Sequence, residues 1–226
     1  MIAVLVTAWW VPADSGAARG SLRREVRAVT RLPVLLGLLM TTLGFGSMFT
    51  VYTYIQPLLT GITGFGETAV APILLLFGVG MIVGNLLGGR LADRGLARAL
   101  LLTLAGLAAT MALMGLVLHS KPAMVLAVGL LGAAAFATGA PLQMWVLRQA
   151  EGAPNLASSL NIGAFNLGNA FGAWLGSAVL THGPGLTGLP WIATLVPISA
   201  LLVAAWAIRR QRGEVTTAEP GCRTAA

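Results

Sequence analysis

Six stretches of this chain are long enough to cross a membrane and contain no Asp, Glu, Lys or Arg. An α-helix needs about 20 predominantly apolar residues to span the hydrocarbon core of a bilayer. The stretches run over residues 33–59, 69–89, 99–118, 123–147, 156–181 and 189–208, here called the first to sixth spans. Because of these stretches, 57% of the residues of the chain are hydrophobic and 9% are charged, whereas about 25% of residues are charged in a soluble domain. The sequence therefore predicts an all-α membrane protein with a six-helix transmembrane bundle over residues 33–209.

The basic residues are concentrated in alternate connecting segments. Residues 12–32, 90–98, 148–155 and 209–226 together hold 13 Lys and Arg, whereas the other loops hold only Lys121. Because cytoplasmic loops are enriched in Lys and Arg, both ends of the six-helix unit are predicted to lie in the cytoplasm. The net charge of +7 then reflects membrane topology, and no nucleic-acid partner is expected.

The chain is expected to begin with a piece of another helix. Residues 1–11 are apolar, too short to span a bilayer, and end in a Trp pair typical of a membrane interface. They lack the basic start and cleavage site of a signal peptide, so a remnant of a preceding transmembrane helix is the preferred interpretation.

The basic cytoplasmic loop over residues 12–32 has helical periodicity. Arginine recurs every four residues, at Arg19, Arg23, Arg27 and Arg31. Leu22, Val26 and Val29 form an apolar stripe, which predicts an amphipathic helix on the membrane surface, with a disordered linker as the alternative. The polar tail, residues 210–226, is predicted to be disordered.

Polar residues are unevenly distributed among the spans. The first, second, fourth and fifth spans contain amides or tyrosines, whereas the third and sixth offer only Thr, Ser and Trp. Polar groups avoid lipid, so the first, second, fourth and fifth spans are expected to line an interior, and the third and sixth are expected to face lipid. The candidates for a substrate path are Phe49, Tyr52, Gln56, Gln143, Asn161, Asn166 and Asn169. The alternative is that these amides only join helix to helix.

Two spans carry stripes of small residues at every fourth position. The stripes are Gly80, Gly84 and Gly88 in the second span, and Ala164, Gly168, Gly172 and Gly176 in the fifth. Small residues at this spacing allow helix backbones to approach closely in lipid, so both stripes are predicted to be helix contacts.

The charged segment GGRLADRGLARAL, between the second and third spans, resembles the loop signature of the major facilitator superfamily. The residues that carry the resemblance are Gly89, Leu91, Ala92, Asp93, Arg94 and Arg98. The segments ASSLNIGAFNLGNAFGAWLG and YTYIQPLL are similar to the drug:proton antiporter branch, in particular arabinose-efflux-permease-like exporters. One position departs from the signature, since Gly95 follows Asp93 by two residues and not three.

The resemblance implies the C-terminal half of a twelve-helix fold, helices seven to twelve, preceded by a stub of helix six. It implies that helices seven, eight, ten and eleven face the central cavity. It also implies a bacterial inner-membrane exporter of a small organic solute such as a drug or sugar, working by alternating access. Its partners would be the lipid bilayer and a missing N-terminal six-helix half. The alternatives are a free-standing homodimer, in which a second copy replaces that half, and a non-transporting assembly subunit.

The charged loop has two interpretations. Asp93 is expected to cap the N-terminus of the third span, where a carboxylate accepts backbone N–H groups. The resemblance further implies that Gly89, Arg90, Asp93, Arg94 and Arg98 form part of a cytoplasmic latch between the two transporter halves. The alternative is that they only fix topology and end a helix.

Enzymatic and cofactor chemistry is not expected. The single cysteine, Cys222, cannot form an internal disulfide or a cysteine-based metal site. No phosphate-binding, zinc-protease or nucleophile-elbow motif is present. No Asp, Glu or His lies near the middle of a span, so a proton-coupling carboxylate is expected in the half that this chain does not contain.

Overall fold

The computed structural model describes residues 22–217. The helix remnant at residues 1–11, Arg19, and the end of the tail with Cys222 lie outside the described residues. Within 22–217 the chain is helical, without strands, and the helices are α1 (Leu22–Val29), α2 (Leu32–Tyr52), α3 (Glu67–Arg94), α4 (Leu96–Leu116), α5 (Lys121–Ala137), α6 (Gly139–Gln149), α7 (Pro154–His182) and α8 (Gly185–Thr217). A short α-helical turn, Ile55–Pro57, and a π-helical turn, Leu58–Ile62, follow α2.

Helices occupy all six predicted spans. Five helical segments are long and apolar enough to cross a membrane: Leu32–Tyr52, Glu67–Arg94, Leu96–Leu116, Lys121–Gln149 and Gly185–Gln211. The remaining span lies in α7, which has 29 residues, contains Asn161, Asn166 and Asn169, and is not among these five segments. The prediction of an all-α membrane protein is confirmed.

Two spans that were predicted to be continuous are interrupted near a proline. The first breaks at Thr53–Tyr54, and the fourth breaks at Thr138. A proline lacks an N–H group and its ring clashes with the carbonyl four residues earlier, which is Thr53 for Pro57 and Ala137 for Pro141. At the second break the Thr138 hydroxyl donates a hydrogen bond to the Ala135 carbonyl oxygen (2.6 Å). The buried hydroxyl is therefore not left without a partner.

The two predicted stripes of small residues are helix contacts. The stripe of α3 faces α5, where a Cβ added at Gly84 would overlap the Ala133 carbonyl oxygen. The stripe of α7 faces α2, where a Cβ added at Gly172 would overlap the Gly46 carbonyl oxygen. These two helix pairs are the most closely packed in the bundle.

The third and sixth spans, α4 and α8, pack against each other on large side chains. The fully buried residues of α4 include Leu100, Leu104, Leu107, Met111 and Met114. Both helices also present exposed apolar residues, such as Leu102 and Leu116 on α4 and Leu195 and Leu202 on α8. Exposed apolar residues also occur on α3, such as Leu75 and Ile82, so exposure does not by itself distinguish α4 and α8 as the lipid-facing helices.

The basic segment before the first span contains α1. Ala28 and Val29 are buried against residues of α2, α6 and α7, whereas Val26 is 51% exposed. Val26 was expected on the apolar stripe, but the structure leaves it exposed, and it is Ala28 together with Val29 that packs against the bundle. At the other end of the chain α8 continues to Thr217, so residues 210–217 are helical where disorder was predicted.

Candidate solute path and basic end

Six aromatic rings form one connected cluster inside the bundle. Its members are Phe45, Phe49 and Tyr52 of α2, Phe77 of α3, Phe136 of α5 and Phe165 of α7. The ring of Tyr52 stacks on Phe77 at 4.6 Å between centroids, and the edge of Phe45 meets Phe165 at 4.9 Å. We call these six residues the aromatic cluster. It draws on each of the first, second, fourth and fifth spans, the four that were expected to line an interior.

The aromatic cluster is only partly covered by protein. Phe77 is buried, whereas the other five rings are half-buried and keep accessible surface. Of the predicted path residues, Phe49 and Tyr52 belong to the cluster. Phe45, Phe77, Phe136 and Phe165 were not predicted from the sequence, because the prediction was based mainly on polar residues and not on which aromatic residues fall on the same spans.

A buried hydrogen-bond network lies one helical turn from the cluster. Thr41 donates to the Asn161 side-chain oxygen (2.8 Å), and Asn161 donates to the Gln143 side-chain oxygen (2.6 Å). Gln143 in turn donates to the Ser158 hydroxyl (3.0 Å). The network joins α2, α6 and α7, and Asn161 is fully buried within it. Gln143 and Asn161 therefore bond helix to helix.

Asn169 lies on the other side of the cluster and has a free acceptor. Asn161, Phe165 and Asn169 are spaced four residues apart and share one face of α7. The Asn169 side-chain oxygen is buried and has no hydrogen-bond partner among the described residues. A buried acceptor without a partner costs about 1–3 kcal/mol of folding free energy, so a hydrogen bond from a donor that reaches it would recover a similar amount.

Two further predicted path residues, Gln56 and Asn166, are exposed and are not members of the aromatic cluster. Gln56 was grouped with Phe49 and Tyr52 by helical spacing, but the break at Thr53–Tyr54 ends the helix between them, and Gln56 is exposed. Asn166 is also exposed, and its amide donates to the Ile162 carbonyl of its own helix (2.9 Å).

Arginines from the start of α2, from the end of α3 and the start of α4, and from the ends of α6 and α8 converge on one end of the bundle. A cavity of about 370 Å³ is lined by Arg94, Arg98 and Arg148 together with Gln211. A second cavity, of about 240 Å³, is lined by Arg31, Arg210 and the same Gln211. We call this region the basic end. Lys121 lies away from these cavities, over the ring of Phe65 at 5.6 Å.

The structure corrects the role expected for Asp93. This residue lies in the last turn of α3, which continues to Arg94, and α4 begins at Leu96 with Gly95 as the capping residue. No side chain caps α4, because the single-residue connection leaves Asp93 inside the preceding helix. Asp93, Arg90, Arg94 and Arg98 are all exposed, and within residues 22–217 no salt bridge joins Asp93 to these arginines.

Metal-binding groups are not clustered in the part of the chain that the structure describes. No set of three His, Cys, Asp or Glu residues there is arranged to hold a metal ion. The aromatic cluster itself offers apolar and aromatic contact beside one unpaired amide oxygen, that of Asn169.

Comparison with known proteins places these features in a family. The sequence model of the Major Facilitator Superfamily matches residues 1–154 and, in an overlapping match, residues 37–223. The inner membrane transport protein YdhP of Escherichia coli O157:H7 is 42% identical over 208 residues, which are 92% of this chain and 54% of that protein. The chloramphenicol resistance protein of Streptomyces lividans is 34% identical over 217 residues, 93% of this chain and 53% of that protein. The putative transporter AraJ of Escherichia coli K12 is 31% identical over 203 residues, 88% of this chain and 51% of that protein. The chain thus spans about half the length of the curated relatives it matches.

Proposed function

Because this chain belongs to the Major Facilitator Superfamily, a family of membrane transporters and not of enzymes, we propose that it forms half of a transporter for small organic solutes. The observation that carries the proposal is the aromatic cluster, a half-exposed surface built from four different spans. We assign the chain to the C-terminal half, helices seven to twelve, of an exporter in a bacterial inner membrane. An N-terminal six-helix half would face the cluster and enclose the solute path between the two halves.

The cluster favours a moderately apolar solute that carries a ring. Aromatic side chains interact with ring-bearing solutes through offset stacking or edge contacts, each adding about 0.5–1.5 kcal/mol beyond surface burial. The Asn169 oxygen is buried and unpaired, so it would accept a hydrogen bond from a hydroxyl or amide N–H of the solute once neighbouring side chains move to expose it. One relative is named for chloramphenicol resistance, and chloramphenicol has a ring, hydroxyl groups and an amide, so it is a suitable probe.

We further propose that the basic end faces the cytoplasm and carries the latch residues Gly89, Arg90, Asp93, Arg94 and Arg98. The excess of arginine at this end supports the orientation through the positive-inside rule. Four of the five are charged and exposed, as a latch with a second half requires. The coupling ion would be carried by the other half, since the described spans offer no ionisable residue near their middle.

Uptake of radiolabelled chloramphenicol into everted membrane vesicles tests the transport proposal. The chain would be expressed alone and together with the N-terminal half of YdhP. We expect uptake only when both are present. Uptake by the chain alone would favour the homodimer, and no uptake in either case, with a stoichiometric protein partner on purification, would favour an assembly subunit.

Substitution within the cluster tests the solute path. We expect Phe49→Ala and Tyr52→Ala each to raise the KM for chloramphenicol by about tenfold, because each removes a ring contact worth about 1.4 kcal/mol. Phe171→Ala is the matched control, since Phe171 pairs with Trp174 outside the cluster. An equal change in the control variant would contradict the assignment.

The latch is tested separately by Asp93→Asn in the two-part transporter. We expect slower turnover with little change in KM, because the latch would act on the equilibrium between states and not on solute contact. Glu151→Gln, an exposed acid at the same end and outside the motif, provides the control. Unchanged turnover in Asp93→Asn would remove the latch proposal.

A further inference from the structure

The two tyrosines of the chain lie at the end of α2 and contact different neighbouring helices. Tyr52 stacks on Phe77 of α3, at 4.6 Å between ring centroids. Tyr54 donates a hydrogen bond from its hydroxyl to the Ala173 carbonyl oxygen of α7 (3.2 Å). Residues two apart project to nearly opposite sides of a helical turn, because about 3.6 residues complete the turn. The end of α2 is therefore attached to α3 on one side and to α7 on the other.

The backbone around these tyrosines is not held by a continuous helix. Tyr54 has φ −112° and ψ 19°, outside the α-helical region, and its N–H bonds the Val51 carbonyl three residues earlier (3.0 Å). Pro57 has no N–H group to donate to the Thr53 carbonyl, so the ladder of helical hydrogen bonds is interrupted here. Side-chain contacts are therefore needed to fix the orientation of this turn.

The surface of α7 beside Tyr54 leaves space for its ring. Gly168 and Gly172 face the backbone of α2, which leaves no room for a Cβ at either position. A Cβ added at Gly176 would overlap the Tyr54 ring as well as the Thr50 carbonyl. The contact between α2 and α7 is thus continued past the last residue of α2 by one aromatic ring.

We propose that Tyr54 is a positioning residue of the solute path. Through its hydrogen bond to α7, it holds the end of α2 in the orientation in which Tyr52 presents its ring beside Phe77. Its acceptor, Ala173, is one helical turn from Asn169, so the same contact fixes the end of α2 relative to the unpaired amide oxygen. The effect on the solute rests on the proposed function, whereas the effect on the Tyr52 ring does not.

Fluorine NMR of the full 226-residue chain in micelles tests the effect on the ring. The chain is labelled with 3-fluorotyrosine, and Tyr54→Phe leaves the Tyr52 signal alone. In the unaltered chain this signal should carry a ring-current shift from Phe77, which Phe77→Leu removes. We expect Tyr54→Phe, which keeps the ring and removes only the hydroxyl, to abolish at least half of that shift. An unchanged Tyr52 signal in Tyr54→Phe would overturn the proposal.

Thr42→Val is the matched control for the lost hydroxyl. The Thr42 hydroxyl also donates from α2 to a carbonyl of α7, that of Ala164 (3.3 Å), about three helical turns from Tyr52. We expect the Tyr52 signal to keep its shift in this variant. A loss equal to that in Tyr54→Phe would indicate general loosening of the α2–α7 pair and would overturn the assignment to Tyr54.

Uptake of chloramphenicol by the two-part transporter tests the consequence for the solute. Tyr54→Phe should raise the KM about threefold with unchanged turnover, since one interhelical hydrogen bond is lost. In a Tyr52→Ala background the same substitution should leave the KM unchanged, because Tyr54 acts through Tyr52. Additive changes in KM would overturn the positioning role. If no variant transports and the fluorine shifts behave as expected, the proposed function fails and the positioning of Tyr52 stands.

Discussion

Helix contacts in this bundle are of two kinds. The α3–α5 and α2–α7 pairs meet through glycine and alanine, with the backbone of one helix against the backbone of the other. The α4–α8 pair meets through leucines of α4, such as Leu100 and Leu104, packed against small residues of α8, such as Ala200 and Ala204. We call the first kind the glycine seams and the second the leucine seam.

The difference shows how a membrane bundle is held together where water does not drive apolar groups inward. In lipid, helix association depends on van der Waals contact and interhelical hydrogen bonds. The glycine seams bring main chains into contact and leave no space for a Cβ, so they should tolerate almost no added atom. The leucine seam uses flexible side chains, which can repack when a neighbour changes.

The largest effect is expected from an added methyl group in the glycine seam between α3 and α5. Gly84→Ala should lower the free energy of unfolding by about 3 kcal/mol, because its Cβ would meet the Ala133 carbonyl and push the helices apart. Equilibrium unfolding in mixed micelles measures the change. Gly78→Ala, on the same helix, is the control. Its Cβ would meet no atom within 4 Å, so this substitution should be neutral or slightly stabilising. Similar losses at both positions would show that close approach is not the cause.

The second glycine seam, between α2 and α7, should behave in the same way. Gly172→Ala is expected to cost about 2–3 kcal/mol through overlap with the Gly46 carbonyl. Gly163→Ala on the same helix has open space around its Cβ and should not destabilise the fold. The same unfolding assay measures both. A Gly172→Ala variant as stable as the unaltered chain would show that the α2–α7 seam, unlike the α3–α5 seam, tolerates an added Cβ.

The leucine seam should respond less sharply and through loss of volume. Leu104→Ala should lower the free energy of unfolding by about 2 kcal/mol, because Leu104 is fully buried and its removal leaves a cavity beside Gly44. Leu104→Met conserves volume and should cost less than about 1.5 kcal/mol. Leu102→Ala, at a 60% exposed position of the same helix, should cost less than either. A Leu104→Met loss as large as that of Gly84→Ala would contradict the difference between the seams.

The smallest effect is expected from the hydrogen-bond network that lies beside the α2–α7 seam. Asn161→Ala should cost about 1 kcal/mol, since interhelical hydrogen bonds in membranes are individually weak. Asn166→Ala breaks only a bond within α7 and should have a smaller effect. A double-mutant cycle between Asn161 and Gln143 measures the coupling, and zero coupling would mean that the network does not stabilise this seam.

Much of the candidate site could be predicted from residue type and spacing, but its exact members could not. The sequence separated the spans that meet at the aromatic cluster from the α4–α8 pair, because amides and tyrosines are excluded from lipid. It grouped Gln56 with Phe49 and Tyr52, since helical spacing was assumed to continue past Tyr52. Pro57 broke that helix, which left Gln56 on the exposed side.

The position of Asp93 shows a similar limit of prediction from the sequence. The segment around it was enough to identify the family, a resemblance that is confirmed by the family match. Its place relative to the helix boundary depended on a single residue, Gly95, and the structure put Asp93 two residues before the capping position. Local signals identify such a loop well but place its boundaries only to within a few residues.

The sequence by itself determined that this is a helical membrane protein, which spans it has, and which faces of α3 and α7 must be contacts. Those features follow from length, apolar content and four-residue spacing, all of which are local properties of the chain. Only the tertiary structure decided that Phe77, Phe136 and Phe165 join Phe45, Phe49 and Tyr52, that Asn169 keeps an unpaired oxygen, and that Arg31 and Arg210 line one cavity. These depend on the rotation of each helix about its axis, which is set by packing against helices distant in sequence and not by the residues of the helix alone.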